Sequence, residues 1–178
     1  MKIVFIRHTR VNVPQGTCYG QTDVPLADSF LQEAHDVRIG LKSYEPFTKV
    51  FTSPLSRACK LADFCGYQNA QTDNRLMEMN LGEWEMQRYD DIKDSKLQAW
   101  YKDYLHIPAT GGESFQQLYT RVKDFIEELL RTFPNDSCVA AFSHAGVLMS
   151  AMLYAKMFPE SDIFKHQPQY GGILELDL

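Results

Sequence analysis

The sequence predicts an α/β fold: a single domain with a largely parallel sheet and helices on both faces. Three observations predict it. Short apolar, β-rich runs recur along the chain with helical periodicities between them, and strands alternating with helices join as parallel crossovers. The first run, Ile3-Val4-Phe5-Ile6, is apolar at every position, the pattern of a strand covered on both sides. The length, 178 residues, suits one domain, since domains run to roughly 100–200 residues. No repeat or low-complexity linker divides it. A chain this long buries roughly 70% of the surface its unfolded form exposes, so it needs no metal or disulfide to fold.

The elements follow in order. Ile3–Ile6 is the first strand. Phe30–Leu41 is a helix candidate, and Lys49-Val50-Phe51-Thr52 a second strand. Pro54–Cys65 reads as a helix with Ser53 as N-cap and Pro54 at its first position, where the missing N–H costs nothing. The segment over about 83–110 is rich in aromatics (Trp84, Tyr89, Trp100, Tyr101, Tyr104) and has no strand pattern. It reads as short helices forming a small cap insertion, with ordinary core packing by the aromatics as the alternative. Ser114–Phe133 is the clearest helix. Phe115, Leu118, Val122, Phe125, Ile126, Leu129, Leu130 and Phe133 recur at helical spacing, and Ser114 with Gln117 forms a capping box. Cys138–Phe142 is a third strand, Ala145–Met157 another helix, and Ile173–Leu176 a fourth strand, read as an edge.

Charge and cysteine usage exclude several functions. Eighteen basic against 23 acidic residues leave a net charge of −5, with no general pull toward nucleic acid or an anionic membrane. The four cysteines form no C-x-x-C pair, which argues against a zinc site or a disulfide framework. They read as free thiols in a reducing compartment. The apolar run at the N-terminus is too short for a signal peptide, and Ala145–Ala155 is too short to span a bilayer. The expected location is the cytoplasm. The expected partner is a small molecule, with no nucleic acid, membrane or metal. No pattern encodes an oligomeric state.

Three strand ends carry the residues with chemistry. Arg7-His8 follows the first strand, Ser53-Pro54-Leu55-Ser56-Arg57 the second, and Ser143-His144 the third. In open α/β sheets, ligands bind beyond the carboxyl ends of the strands. A lone histidine there is more often structural than catalytic. Two histidines and two arginines at strand-to-helix transitions point instead to an anion site, since helix N-termini also attract anions. A neutral imidazole can attack phosphorus, and guanidinium groups can grip the phosphoryl oxygens. Expelling an alkoxide then needs a general acid. The chain offers Glu78, Glu83 and Glu85, and physical reasoning on the sequence does not choose among them.

Arg7-His8, Ser53-Pro54-Leu55-Ser56-Arg57-Ala58, Leu76-x-Glu78-x-x-x-Gly82-x-Trp84-Glu85, Gly112-Glu113-Ser114 and Ser143-His144-Ala145-Gly146-Val147 occur in this order. Together they resemble the histidine phosphatase superfamily, the phosphoglycerate mutase-like branch. The resemblance runs from Lys2 to about Met149. It implies that His8 is the nucleophile that carries the phosphoryl group. It implies that Arg7, Arg57 and His144 bind phosphate, that Glu78 donates and accepts the proton, and that no cofactor or metal is needed. The chain also departs from the family's Arg-His-Gly-Glu with Arg7-His8-Thr9-Arg10, and has Met86 where a glycine is common after Trp-Glu. The family's later asparagine is replaced by Pro14. Thr9 is therefore expected to offer its hydroxyl to phosphate, and Asn12 to stand in for the missing amide.

Arg7-His8-Thr9-Arg10-Val11 followed by Pro14-x-Gly16-x-Cys18-Tyr19-Gly20-Gln21-Thr22-Asp23 is similar to the alpha-ribazole phosphatases of cobalamin synthesis. That similarity implies removal of the 5′-phosphate from alpha-ribazole phosphate or the corresponding cobalamin phosphate. It places Tyr19 or Gln21 beside the substrate, with a solvent-facing turn as the alternative. The aromatic composition of the stretch Tyr89–Tyr104, with Trp100, Tyr101 and Tyr104, separately offers a stacking surface for a benzimidazole-like base.

Three other functions fit the same residues: a mutase, a broad-specificity sugar-phosphate or nucleotide phosphatase, and a silent phosphate-binding protein. Sixty-five residues separate Glu78 from His144, which leaves little room for the lid a mutase needs against water. The co-occurrence of His8, Arg7, Arg57, Glu78 and His144 argues against the silent protein.

Overall fold

The computed structural model describes residues 1–178. Strand β1 (Lys2–Arg7) leads through α1 (Phe30–Leu41) to β2 (Lys49–Thr52), then α2 (Ser56–Phe64) and β3 (Gln71–Thr72). Helices α3 (Lys96–Lys102) and α4 (Phe115–Thr132) precede β4 (Cys138–Ser143), α5 (Ala145–Tyr154) and β5 (Ile173–Asp177). The sheet order is β3-β2-β4-β1-β5. Strands β1 to β4 run parallel, and β5 pairs antiparallel with β1 at one edge. The predicted mostly parallel α/β sheet is thus present. Strand β3 is two exposed residues without an apolar signal, so periodicity could not reveal it.

Alternation along β1 sorts the two faces. Ile3 and Phe5 enter the larger core with α4 and α5 residues such as Leu118, Phe125 and Leu148. Val4 and Ile6 pack on the other face with Ala34, Val37, Ala58 and Leu61 of α1 and α2. Both faces are covered, which is why Ile3–Ile6 is apolar throughout. Phe125 anchors α4 with its ring edge against Phe51, centroids 5.3 Å apart. Truncating such a side chain costs about 3–5 kcal/mol.

Helix α4 starts as predicted. The Ser114 hydroxyl accepts from the Gln117 N–H at 3.3 Å, and the Gln117 side chain accepts from the Ser114 N–H at 2.8 Å. Helix α2 does not start as predicted. Its N-cap is Leu55, with extended backbone, and Ser53 and Pro54 lie outside it. The cap comes from elsewhere in the chain: one Asp23 carboxylate oxygen accepts the Ser56 N–H and hydroxyl, both at 2.9 Å. That leaves the Ser53 hydroxyl to other partners. Helix α5 ends at Tyr154, short of Met157, because Lys156 turns to φ +56.

The aromatic segment packs inward. It forms short turns at Gly82–Trp84 and Tyr89–Asp91 and then α3. Trp84 is 1% exposed, edge-on to Trp100 at 5.6 Å, and its indole N–H reaches Asp94 at 2.8 Å. Tyr101 is half-exposed. No helix is long and apolar enough to cross a membrane.

Candidate active site

Strands β1 and β4 pair in register, Arg7 opposite Ser143, so the next residues leave the sheet side by side. These are His8 and His144, with ring centroids 5.1 Å apart. The His8 N–H donates to the Ser143 carbonyl at 3.0 Å. After β1 the chain crosses to the α1 face, and after β4 to the α5 face. A crevice therefore opens between the two strand ends. A cleft of about 410 Å³ occupies it, with Arg7, His8, Tyr19, Glu78 and Tyr170 in its lining.

His8 has a defined tautomer. Its Nδ1 lies 2.7 Å from the Thr9 carbonyl, which can only accept, so Nδ1 carries the proton and Nε2 keeps its lone pair. Burial, then the nearby Arg57 and Arg7 charges, lower its pKa to about 3. The ring is neutral at physiological pH and can act as a nucleophile.

Arg7 sits in the cleft lining with its guanidinium 3.9 Å over the Tyr170 ring. One Nη donates to the Pro168 carbonyl, and the buried Nε–H has no partner. Arg57 and His144 are both fully buried and do not line the cleft. The Arg57 Nε–H donates to His144 Nδ1 at 3.3 Å, and its Nη groups donate to the Thr22 and Gly20 carbonyls. Two of its five N–H groups stay uncommitted. Because Arg57 can only donate, His144 accepts at Nδ1 and gives Nε2–H to the Ser53 hydroxyl at 2.8 Å. Burial first, then coupling to the neighbouring His8 and the Arg57 charge, hold His144 well below its usual pKa. His144 is therefore neutral, and both its nitrogens are occupied.

The structure separates the three glutamates. Glu78 alone lines the cleft, its carboxylate held by the N–H groups of Met79 at 2.8 Å and Gly146 at 3.1 Å. Glu83 is exposed. Glu85 instead ties down a loop, accepting from the N–H groups of Gln21, Thr22 and Leu81 and from the Thr22 hydroxyl. Burial pushes its carboxyl up, and these donors outweigh that and hold it below the usual range.

The remaining candidates divide. Tyr19 lines the cleft. Gln21 does not: its side-chain amide donates to the Glu78 carbonyl at 3.0 Å. Thr9 is fully buried and its hydroxyl has no partner, so its part in the site is the carbonyl that orients His8. Asn12 is exposed and outside the cleft lining, so it does not replace the missing amide. Trp100 lines the cleft, whereas Tyr101 and Tyr104 do not.

Sequence reasoning missed Arg121. From α4 it donates to the carbonyls of Arg75, Met77 and Glu78 and to the Glu113 carboxylate. Glu113 also accepts the Asn80 N–H at 2.8 Å. Together they hold the irregular segment that presents Glu78. No local signal marks it, because α4 is amphipathic and Arg121 is one of several charged residues beside its apolar stripe.

The family model of the histidine phosphatase superfamily (branch 1) matches residues 3–178. The adenosylcobalamin/alpha-ribazole phosphatase of Salmonella typhimurium is 27% identical, covering 100% of this chain and 91% of that protein. Phosphoserine phosphatase 1 of Hydrogenobacter thermophilus is 27% identical over 87% of this chain and 75% of its own length. The crystal structure of the alpha-ribazole phosphatase from Shigella flexneri superposes with a TM-score of 0.88 at 26% identity, covering 100% of this chain and 91% of that one. The neutral, oriented His8 beside Arg7 and Glu78 is in keeping with these matches, and the chain belongs to the histidine phosphatase superfamily (branch 1) and is a phosphatase of that superfamily.

Proposed function

We propose that the protein hydrolyses a phosphomonoester through a phospho-histidine on His8, and that its substrate is alpha-ribazole 5′-phosphate or the corresponding cobalamin phosphate. One observation carries the mechanism. The His8 Nδ1–H bond to the Thr9 carbonyl leaves Nε2 as a neutral nucleophile in the same cleft as Arg7 and Glu78. Nε2 forms a bond to phosphorus as the bond to the ester oxygen breaks. Glu78 gives its proton to that leaving oxygen. Water then attacks phosphorus, Glu78 takes the water proton, and the P–N bond breaks to release phosphate and free His8. Arg7 meets the phosphoryl oxygens from the cleft, its partnerless Nε–H among the donors. Arg57, with its uncommitted N–H groups, backs the phosphate pocket from the buried side, and His144, both nitrogens engaged, fixes the Arg57 Nε–H.

The rest of the cleft supports a leaving alcohol that carries an aromatic base. Trp100, Phe115, Leu118 and Phe164 line it. Such a wall suits a planar apolar base better than the polar body of a sugar or phosphoglycerate. The similarity to alpha-ribazole phosphatases points the same way.

Comparing kcat/KM for alpha-ribazole 5′-phosphate, phosphoserine, 3-phosphoglycerate and simple sugar phosphates tests the substrate. A clear preference for alpha-ribazole 5′-phosphate is expected. Comparable rates on all four would leave a broad-specificity phosphatase. Conversion of 3-phosphoglycerate to its isomer would make it a mutase.

A further inference from the structure

We infer that Tyr19 and Tyr170 form a brace that positions Arg7 and Arg57 for the phosphoryl group. This rests on the reading that both arginines hold that group. Neither arginine has a carboxylate ion pair, although ten ion pairs occur elsewhere in the chain. Each faces a tyrosine ring instead. The Arg7 guanidinium carbon is 3.9 Å from the centre of the Tyr170 ring, and that of Arg57 is 5.6 Å from the centre of the Tyr19 ring. The two phenol oxygens are hydrogen-bonded to each other at 2.8 Å.

The backbone ties each tyrosine to its arginine. Pro168, two residues before Tyr170, accepts from the Arg7 side chain. The Arg7 N–H donates to the Gly172 carbonyl at 2.9 Å, and the Gly171 N–H donates to the His8 carbonyl at 3.1 Å. On the other side, Arg57 donates to the carbonyls of Gly20 and Thr22, which follow Tyr19 in the same loop. The hydroxyl pair joins the Pro168–Gly172 segment to the Tyr19–Thr22 loop, and so links the two arginines.

The physical advantage lies in what a ring does not consume. A carboxylate would take the in-plane fork of the guanidinium and cancel its charge. An aromatic face holds the flat side of the cation and leaves the edge N–H groups and the full charge for an anion. Tyr19 and Tyr170 are therefore positioning residues that act through the arginines. Tyr170 also lies beyond the blocks that carry the family resemblance.

Orthovanadate inhibition of p-nitrophenyl phosphate hydrolysis, measured with urea-unfolding midpoints, tests this. Tyr170→Leu is expected to weaken inhibition about tenfold. Tyr170→Phe keeps the ring and is expected to lose less. In an Arg7→Met background, Tyr170→Leu is expected to cause no further loss, because its effect runs through Arg7. Unchanged vanadate affinity in Tyr170→Leu overturns the brace, as does an equal loss with and without Arg7. If Arg7→Met itself binds vanadate normally, the anion role of Arg7 fails first and the brace with it. Tyr19→Phe tests the hydroxyl link with minimal risk to folding. Its effect is expected to be no larger in combination with Tyr170→Phe than alone, and simple additivity overturns the link.

Discussion

Gly146 leaves the space in which the Glu78 carboxylate sits. A Cβ built on Gly146 would lie 2.3 Å from Glu78 Oε1 and 2.8 Å from the Leu118 side chain. The Gly146 N–H meanwhile donates to that same oxygen at 3.1 Å. Close approach and hydrogen bond are one arrangement, and it needs a residue without a side chain. Gly146→Ala is therefore expected to displace Glu78 and lower kcat by about 100-fold, since a shift of about 1 Å at a reacting group can cost that much. Steady-state kinetics beside a melting curve check it. An active Gly146→Ala would show that Glu78 can work from elsewhere.

Glu78→Gln keeps the shape and removes the proton. The loss is expected to be greatest for alkyl phosphates, whose leaving oxygens need protonation, and smallest for activated aryl phosphates. A series of leaving groups of graded pKa measures the slope. Equal losses across the series would remove Glu78 from the general-acid role.

Arg121→Met retains much of the side-chain volume and removes every donor. Three backbone carbonyls and the Glu113 carboxylate then lose a mostly buried partner. The expected cost is about 3–5 kcal/mol of stability, with kcat falling as the Glu78 segment loosens. Denaturant unfolding gives the first quantity and kinetics the second.

Stability is expected to fall with pH on the acid side. His8 titrates near 3 in the native state, for burial first and the arginine charges second, against 6.5 ordinarily. Between those values the unfolded chain binds a proton that the native chain refuses. Stability is therefore full above about pH 6.5 and declines toward pH 3. The shift of His144 has the same sign. Each group contributes at most about 1.4 kcal/mol per pH unit in that window. Urea midpoints from about pH 7.5 to 5 should decline, and His8→Asn should flatten part of the slope.

Met86 holds a left-handed backbone at φ +65, and its side chain is half-exposed. Glycine adopts that conformation without a Cβ penalty. Met86→Gly is expected to relieve about 1 kcal/mol of strain, a gain of about 2–4 °C in Tm. Calorimetry decides it.

Much of the fold is legible in the sequence because burial writes periodicity. β1 reads as a two-faced buried strand, and α4 shows both its apolar stripe and its cap. Elements without that signature escape: β3 is two exposed residues, and the cap of α2 comes from Asp23, 33 positions before Ser56. The site divides the same way. That Arg7, His8, Arg57 and His144 gather at one end of the sheet is legible because strand ends and helix starts announce themselves. Thr9 and Gln21 were expected at the substrate, and in the structure they serve backbone and ring orientation.

The sequence by itself determined the α/β class, the strands that bear the site and the residue types able to transfer phosphate, since these depend on local pattern and chain order. Only the tertiary structure decided which glutamate reaches the cleft, which imidazole nitrogen is free, and that His144 is neutral. It alone brought Tyr19 and Tyr170, 151 positions apart, into hydrogen-bond contact. Those outcomes depend on distances between segments remote in sequence, and on the loss of water around them, which no local pattern encodes.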